Sequence, residues 1–151
     1  MELTVNGTAN IASLVGTHLG WTEWQVIDQD RVDRFAKATD DFQWIHVDPE
    51  KAATSQFGGT IAHGYLTLSL VPSLLKQLLL VEGASFGVNY GCNKIRFITP
   101  VLTGSQIRLG ASIGEVVELK SGYQIVVDVT VEARDATKPA MVAQLLYNYY
   151  S

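Results

Sequence analysis

The groups able to do proton chemistry near neutral pH gather in one short stretch. Asp40-Asp41-Phe42-Gln43-Trp44-Ile45-His46 places the Asp41 carboxylate five residues before the His46 imidazole. In a loop, that spacing lets both side chains turn back onto one small volume, where they can share and polarise a water and shuttle its proton. Further on, Phe57-Gly58-Gly59-Thr60-Ile61-Ala62-His63-Gly64 leads into a long apolar run. The first N–H groups of a helix lack internal partners and carry the positive end of its dipole. A carbonyl oxygen gathering negative charge is stabilised there, and Gly64 has no side chain to obstruct it. Spacing alone leaves a plain loop hydrogen bond as the other reading of Asp41 and His46.

The surrounding residues carry weaker signals. His63 invites a metal site with Asp41 and His46, but no ligand-rich spacing such as His-x-x-x-His supports one. A structural or substrate-lining histidine fits better than a metal ligand. Gly58-Gly59 is followed by no P-loop lysine or GxGxxG pattern, so it reads as a tight turn into a close-packed helix. Asn93, Lys94 and Arg96 could meet phosphate groups or simply form the solvent side of a strand. Cys92 has no base beside it in sequence and reads as a small packed residue, not a nucleophile.

These residues need elements to position them. Asn10 can cap a short helix through Leu19, with His18 on its surface and Gly20 stopping it. Trp21 to Ile27 reads as a short strand, and Asp28 as the cap of a second helix with Val32, Phe35 and Ala36 on one face. A loop runs from Asp40 to Val47, and Asp48-Pro49-Glu50 starts another helix. The apolar run from about Ile61 to Leu80 predicts one long buried helix, kinked or split at Pro72. The second half alternates with a period of two: Ile95 and Phe97; Ile107, Leu109, Ala111 and Ile113; Ile125, Val127, Val129, Val131 and Ala133. That pattern predicts long strands with one buried face. Ser121-Gly122 and Asp135 to Pro139 supply turns, and Met141 to Tyr150 a last strand. An antiparallel sheet of this size needs an apolar partner on its inner face, and the long helix is the only candidate. The expected fold is α+β: a central helix wrapped by a curved antiparallel sheet, the hot-dog arrangement.

Bulk properties narrow the function. A chain of 151 residues with 47% hydrophobic and 17% charged residues is an ordinary globular composition, and 1–151 reads as a single domain. Net charge is −4 and the basic residues are scattered, which argues against nucleic acid and anionic lipid as partners. The N-terminus has no signal-peptide pattern, and Pro72 and Lys76 interrupt the apolar segment from Tyr65 to Val81, so no membrane span is expected. With Cys92 as the one cysteine, no intrachain disulfide can form, and the cytoplasm fits best.

Asp41 to His46, followed by Gly59-Thr60-Ile61-Ala62-His63-Gly64, resembles the MaoC-like dehydratases, the family of (R)-specific enoyl-CoA hydratases. Gln43-Trp44-Ile45-His46-Val47-Asp48-Pro49-Glu50 and Asn89-Tyr90-Gly91-Cys92-Asn93-Lys94 are similar to the branch named after nodulation protein N. The resemblance implies a hot-dog homodimer that hydrates trans-2-enoyl-CoA to (R)-3-hydroxyacyl-CoA with neither metal nor redox cofactor. It implies that Asp41 and His46 hold and activate the water, and that the Gly64 N–H binds the thioester oxygen. Gln43, Trp44 and His63 become candidates for contact with the acyl thioester, and Asn93, Lys94 and Arg96 for contact with CoA. The sequence departs from the family's Gly-Asp-x-Asn-Pro pattern, with Asp40 for the Gly, Gln43 for the Asn and Trp44 for the Pro. Two other functions compete: a hot-dog acyl-CoA thioesterase, and a non-catalytic acyl-CoA-binding subunit. The apolar run holds no acid between Ile61 and Val81, which counts against hydrolysis.

Overall fold

The period-two segments build the largest element of the computed structural model, which describes residues 2–151. Strands β1 (Leu3–Asn6), β2 (His18–Trp21), β3 (Gln25–Val26), β4 (Leu79–Glu82), β5 (Phe86–Phe97), β6 (Gln106–Leu119), β7 (Gly122–Ala133) and β8 (Met141–Tyr150) follow in chain order. An antiparallel sheet runs β2-β6-β7-β8-β5, with β3 pairing on β6 beyond β2. Ile107, Leu109, Ala111 and Ile113 of β6 and Ile125, Val127, Val129 and Val131 of β7 are all buried. Burying one such aliphatic side chain contributes about 1.5–3 kcal/mol, so the alternation fixes which face turns inward.

Against that face lie α4 (Gly64–Ser69) and α5 (Val71–Leu75). Their Leu66, Val71, Leu74 and Leu75 join the sheet residues in one core. The hot-dog arrangement is therefore present, with a shorter and broken central helix. Pro72 has no N–H to continue the ladder, and α4 and α5 meet at Leu70, which still donates to Leu66 and accepts from Leu74. The apolar run also begins and ends outside helix. Ile61 bridges to Leu102, and Leu79–Glu82 pairs parallel with β1. Both end segments satisfy their backbone groups on neighbouring strands, a choice that apolar composition does not reveal.

The expected helix from Asn10 to Leu19 is instead a 3-10 helix, Thr8–Leu14, followed by β2. The Asn10 side chain donates to the Asn6 carbonyl (2.5 Å) and caps nothing. Gly16 turns the chain at φ +80°, and hydrogen bonds between Gly16 and Ile113 and between Ile113 and Thr17 draw the segment onto the sheet. His18 is therefore an exposed strand residue. The β6–β7 hairpin closes over Lys120-Ser121, one residue earlier than expected, because Leu119 pairs with Gly122.

Candidate active site

Helix α1 (Gln29–Thr39) starts as its cap predicts: the Arg31 amide donates to the Asp28 carboxylate (2.9 Å). Its last cap, Asp40, lies in the left-handed region at φ +58°, the position where the family pattern has glycine. That turn throws Asp41 off the helix axis. The following loop contains one helical turn, α2 (Trp44–Val47), before Asp48 caps α3 (Pro49–Ala53) through the Lys51 amide (3.0 Å). Asp41 and His46 thus stand on two sides of a short bend.

The bend delivers His46 into the interior beside His63. Both imidazoles are buried, and their rings stack with centroids 3.8 Å apart and planes 22° apart. Phe35 of α1 packs on His63 (4.9 Å). One carboxylate oxygen of Asp41 and one nitrogen of each histidine lie within 4.8 Å of one another. The Asp41 side chain is 51% exposed, while both rings are buried.

Hydrogen bonding assigns the tautomers. His46 Nδ1–H donates to the Ile61 carbonyl (2.6 Å), which can only accept, so Nε2 carries the free lone pair. His63 Nε2–H donates to the Asp41 carbonyl (3.0 Å), which leaves its buried Nδ1 as the bare nitrogen, unpartnered among the described residues. Burial pushes the His46 pKa below its ordinary value of 6.5, and the neighbouring His63 lowers it further; the Ile61 hydrogen bond and the Asp41 charge oppose them. His46 is held as a neutral base with Nε2 available.

Asp41, His46 and His63 are also the one cluster of three potential metal ligands among the described residues. One nitrogen of each ring is committed to a backbone carbonyl, which leaves one nitrogen per ring beside the Asp41 carboxylate.

Gly64 is the first residue of α4, and His63 is its cap. The His63 carbonyl accepts from the Leu66 (3.0 Å) and Thr67 (3.3 Å) amides. In a trans peptide, C=O and N–H point oppositely, so the Gly64 N–H is aimed out of the helix, away from those acceptors. A Cβ built on Gly64 would meet the Phe97 ring at 3.1 Å. A side chain there would have to displace that ring.

The other expected contacts divide. Gln43 is exposed, its amide long to the Asp41 carboxylate (3.4 Å). Trp44 is half-buried beneath the Lys51 ammonium (4.7 Å). Asn93, Lys94 and Arg96 lie on exposed β5, where a bulge between Cys92 and Lys94 inserts Asn93 opposite Gln144. Asn93 donates to Gln144 (2.8 Å), which donates to Asp128 (2.9 Å). Lys94 and Arg96 border a groove with Asp128, Thr130 and Gln144, and no hydrogen bond or ion pair among the described residues joins them to Asp41 or His46.

Several supporting residues escape sequence reading. Gln29 donates to the His46 carbonyl (2.8 Å) and accepts from the Thr60 hydroxyl (2.6 Å), contacts spanning 17 and 31 positions. Phe97 and Tyr65 frame Gly64, with ring centroids 6.1 Å apart. No local spacing marks them.

Comparison with known proteins places the chain in a family. Residues 10–137 match the family model described as "MaoC like domain". The chain is 45% identical over 147 residues to 3-hydroxyacyl-thioester dehydratase Z of Mycobacterium tuberculosis, covering 97% of each. It is 42% identical to nodulation protein N of Rhizobium leguminosarum bv. viciae, covering 89% of this chain and 86% of that one. The solved (R)-hydratase from A. caviae, described as involved in PHA biosynthesis, superposes with a TM-score of 0.73 at 25% identity, over 88% of this chain and 94% of that one.

Proposed function

This chain belongs to the MaoC-like domain family, and we propose that it hydrates trans-2-enoyl-CoA reversibly to (R)-3-hydroxyacyl-CoA. Membership supports a hydro-lyase activity; the substrate and the residue roles are our reading. The observation that carries it is the gathering of one Asp41 carboxylate oxygen and one ring nitrogen each of His46 and His63 within 4.8 Å, with His63 next to Gly64 at the start of α4. A water held between carboxylate and imidazole loses a proton to the pair as its oxygen bonds to C3. The C2–C3 π electrons move toward the carbonyl, and the charge gathers on the thioester oxygen at the Gly64 N–H. The pair then returns the proton to C2, which balances the addition without a redox step. In other enzymes, loss of one such oxyanion donor raises the barrier by roughly 3–4 kcal/mol.

A homodimer completes this reading. Strand β5 is a twelve-residue sheet edge with Phe86, Val88, Tyr90 and Phe97 exposed. Long apolar edges invite pairing, and a second copy of the same strand would cover this one. No helix among the described residues is long and apolar enough to cross a membrane, and a cytoplasmic setting fits the exposed thiol of Cys92.

The test is to supply crotonyl-CoA and identify the product. Loss of the enoyl-thioester absorbance with formation of (R)-3-hydroxybutyryl-CoA is expected. Free thiol release would instead indicate a thioesterase, and tight binding without turnover a non-catalytic acyl-CoA-binding subunit.

A further inference from the structure

We propose that His63 is a positioning residue that sets the mutual geometry of Asp41, His46 and the Gly64 amide; this rests on the hydration reading above. Three separate contacts meet in this one residue. Its Nε2–H donates to the Asp41 backbone carbonyl at 3.0 Å, which pins the bend that carries the carboxylate. Its ring face lies on His46 at 3.8 Å and is backed by Phe35 at 4.9 Å, so the His46 imidazole cannot tilt toward α1. Its carbonyl accepts two α4 amides, and the same rigid peptide unit carries the Gly64 N–H.

A packing role alone would be met by any flat apolar side chain. The imidazole is needed because the part-buried carbonyl on the Asp41 bend takes its donor from His63 Nε2–H, and an apolar ring would leave that carbonyl without it. Beyond packing, His63 bears on the chemistry of His46. The titratable groups facing the His46 ring are His63 from the segment before α4 and Asp41 from the bend after α1, and they act in opposite directions on its protonation. His63 therefore helps keep His46 neutral while Asp41 favours its protonated form. The Asp41 carboxylate stands 3.9 Å from His63 Nε2, close enough to feel a shift of that ring.

The experiment compares His63→Phe, which keeps the ring stack and removes the donor, with His63→Gln, which restores an N–H near the same place. In His63→Phe, kcat should fall roughly 10- to 100-fold, as misplacement on the ångström scale does. KM should stay within about two-fold, the acid limb of the pH profile should move to higher pH, and His63→Gln should recover part of kcat. Unchanged kcat and pH profile in His63→Phe would overturn the proposal, as would a loss confined to KM. If His63→Phe does not fold, a wild-type-like pH profile and kcat in His63→Gln would overturn it instead, since that variant lacks the stack. If the wild type converts no enoyl thioester, the hydration reading falls, and imidazole ¹⁵N spectra decide the positioning claim separately. A single Nδ1–H tautomer at His46 that becomes mixed in His63→Gln supports it; identical His46 signals in both proteins overturn it.

Discussion

At the scale of single residues, His46 sets the pH behaviour. Its pKa is lowered chiefly by burial, so the unfolded chain binds a proton before the folded one does. The stability this contributes is complete above about pH 6.5, the ordinary value, and is lost as pH falls toward the lowered folded value. Urea titrations between pH 7.5 and 5 should show that decline, and His46→Gln should flatten it. Activity follows the same sign: a base that stays neutral below 6.5 places the acid limb of kcat/KM below 6.5, and a limb above 6.5 would contradict the assignment. Gly64 makes a second prediction. In Gly64→Ala the new methyl meets the Phe97 ring, which is 47% exposed and can swing outward. Stability should fall by only about 1 kcal/mol, the low end for added bulk, while kcat falls roughly 100-fold as the oxygen's approach is crowded.

At the scale of elements, backbone geometry explains two sequence features. Asp40 holds a left-handed conformation that glycine adopts at lower cost. Asp40→Gly should therefore raise stability by about 0.5–1 kcal/mol in thermal or urea unfolding and leave hydration intact, which would also separate Asp40 from the role given to Asp41. Gly110 of β6 lies under the Trp21 ring, where a Cβ would sit 2.9 Å from ring carbons. Gly110→Ala should cost about 1–3 kcal/mol by unfolding, because the ring is itself held by Arg108 at 4.5 Å. The sequence made β6, β7 and β8 legible, since period-two burial is a local signal, and the Asp28 and Asp48 caps equally so. Strand β5, expected to bury Ile95 and Phe97, is instead an exposed sheet edge with Ile95 half-buried and Phe97 exposed. Sequence reading also misjudged segments whose partners are distant: His18–Trp21 and Leu79–Glu82 pair with strands far along the chain. The same limit applied to the site. The Asp41–His46 spacing was readable, but the His46–His63 stack and the Gln29–Thr60 bracing depend on packing between elements.

At the scale of the molecule, the sheet buries one face and leaves β5 an exposed edge, which is the feature the proposed dimer rests on. Sedimentation velocity should give twice the 16.5 kDa chain mass, and Tyr90→Arg, at a 64%-exposed site on that edge, should shift it to one chain without unfolding. The proposed chemistry rests on one pair of side chains, Asp41 and His46, acting on one water. Asp41→Asn is nearly isosteric at a half-exposed position, so the fold should persist while the carboxylate's proton-accepting capacity is lost. The decisive measurement is kcat for crotonyl-CoA hydration by wild type and Asp41→Asn side by side, with thermal unfolding of both. A fall of roughly 10²- to 10⁴-fold at unchanged Tm is the result expected of a general base. Equal rates in two folded proteins would contradict the assignment of the pair.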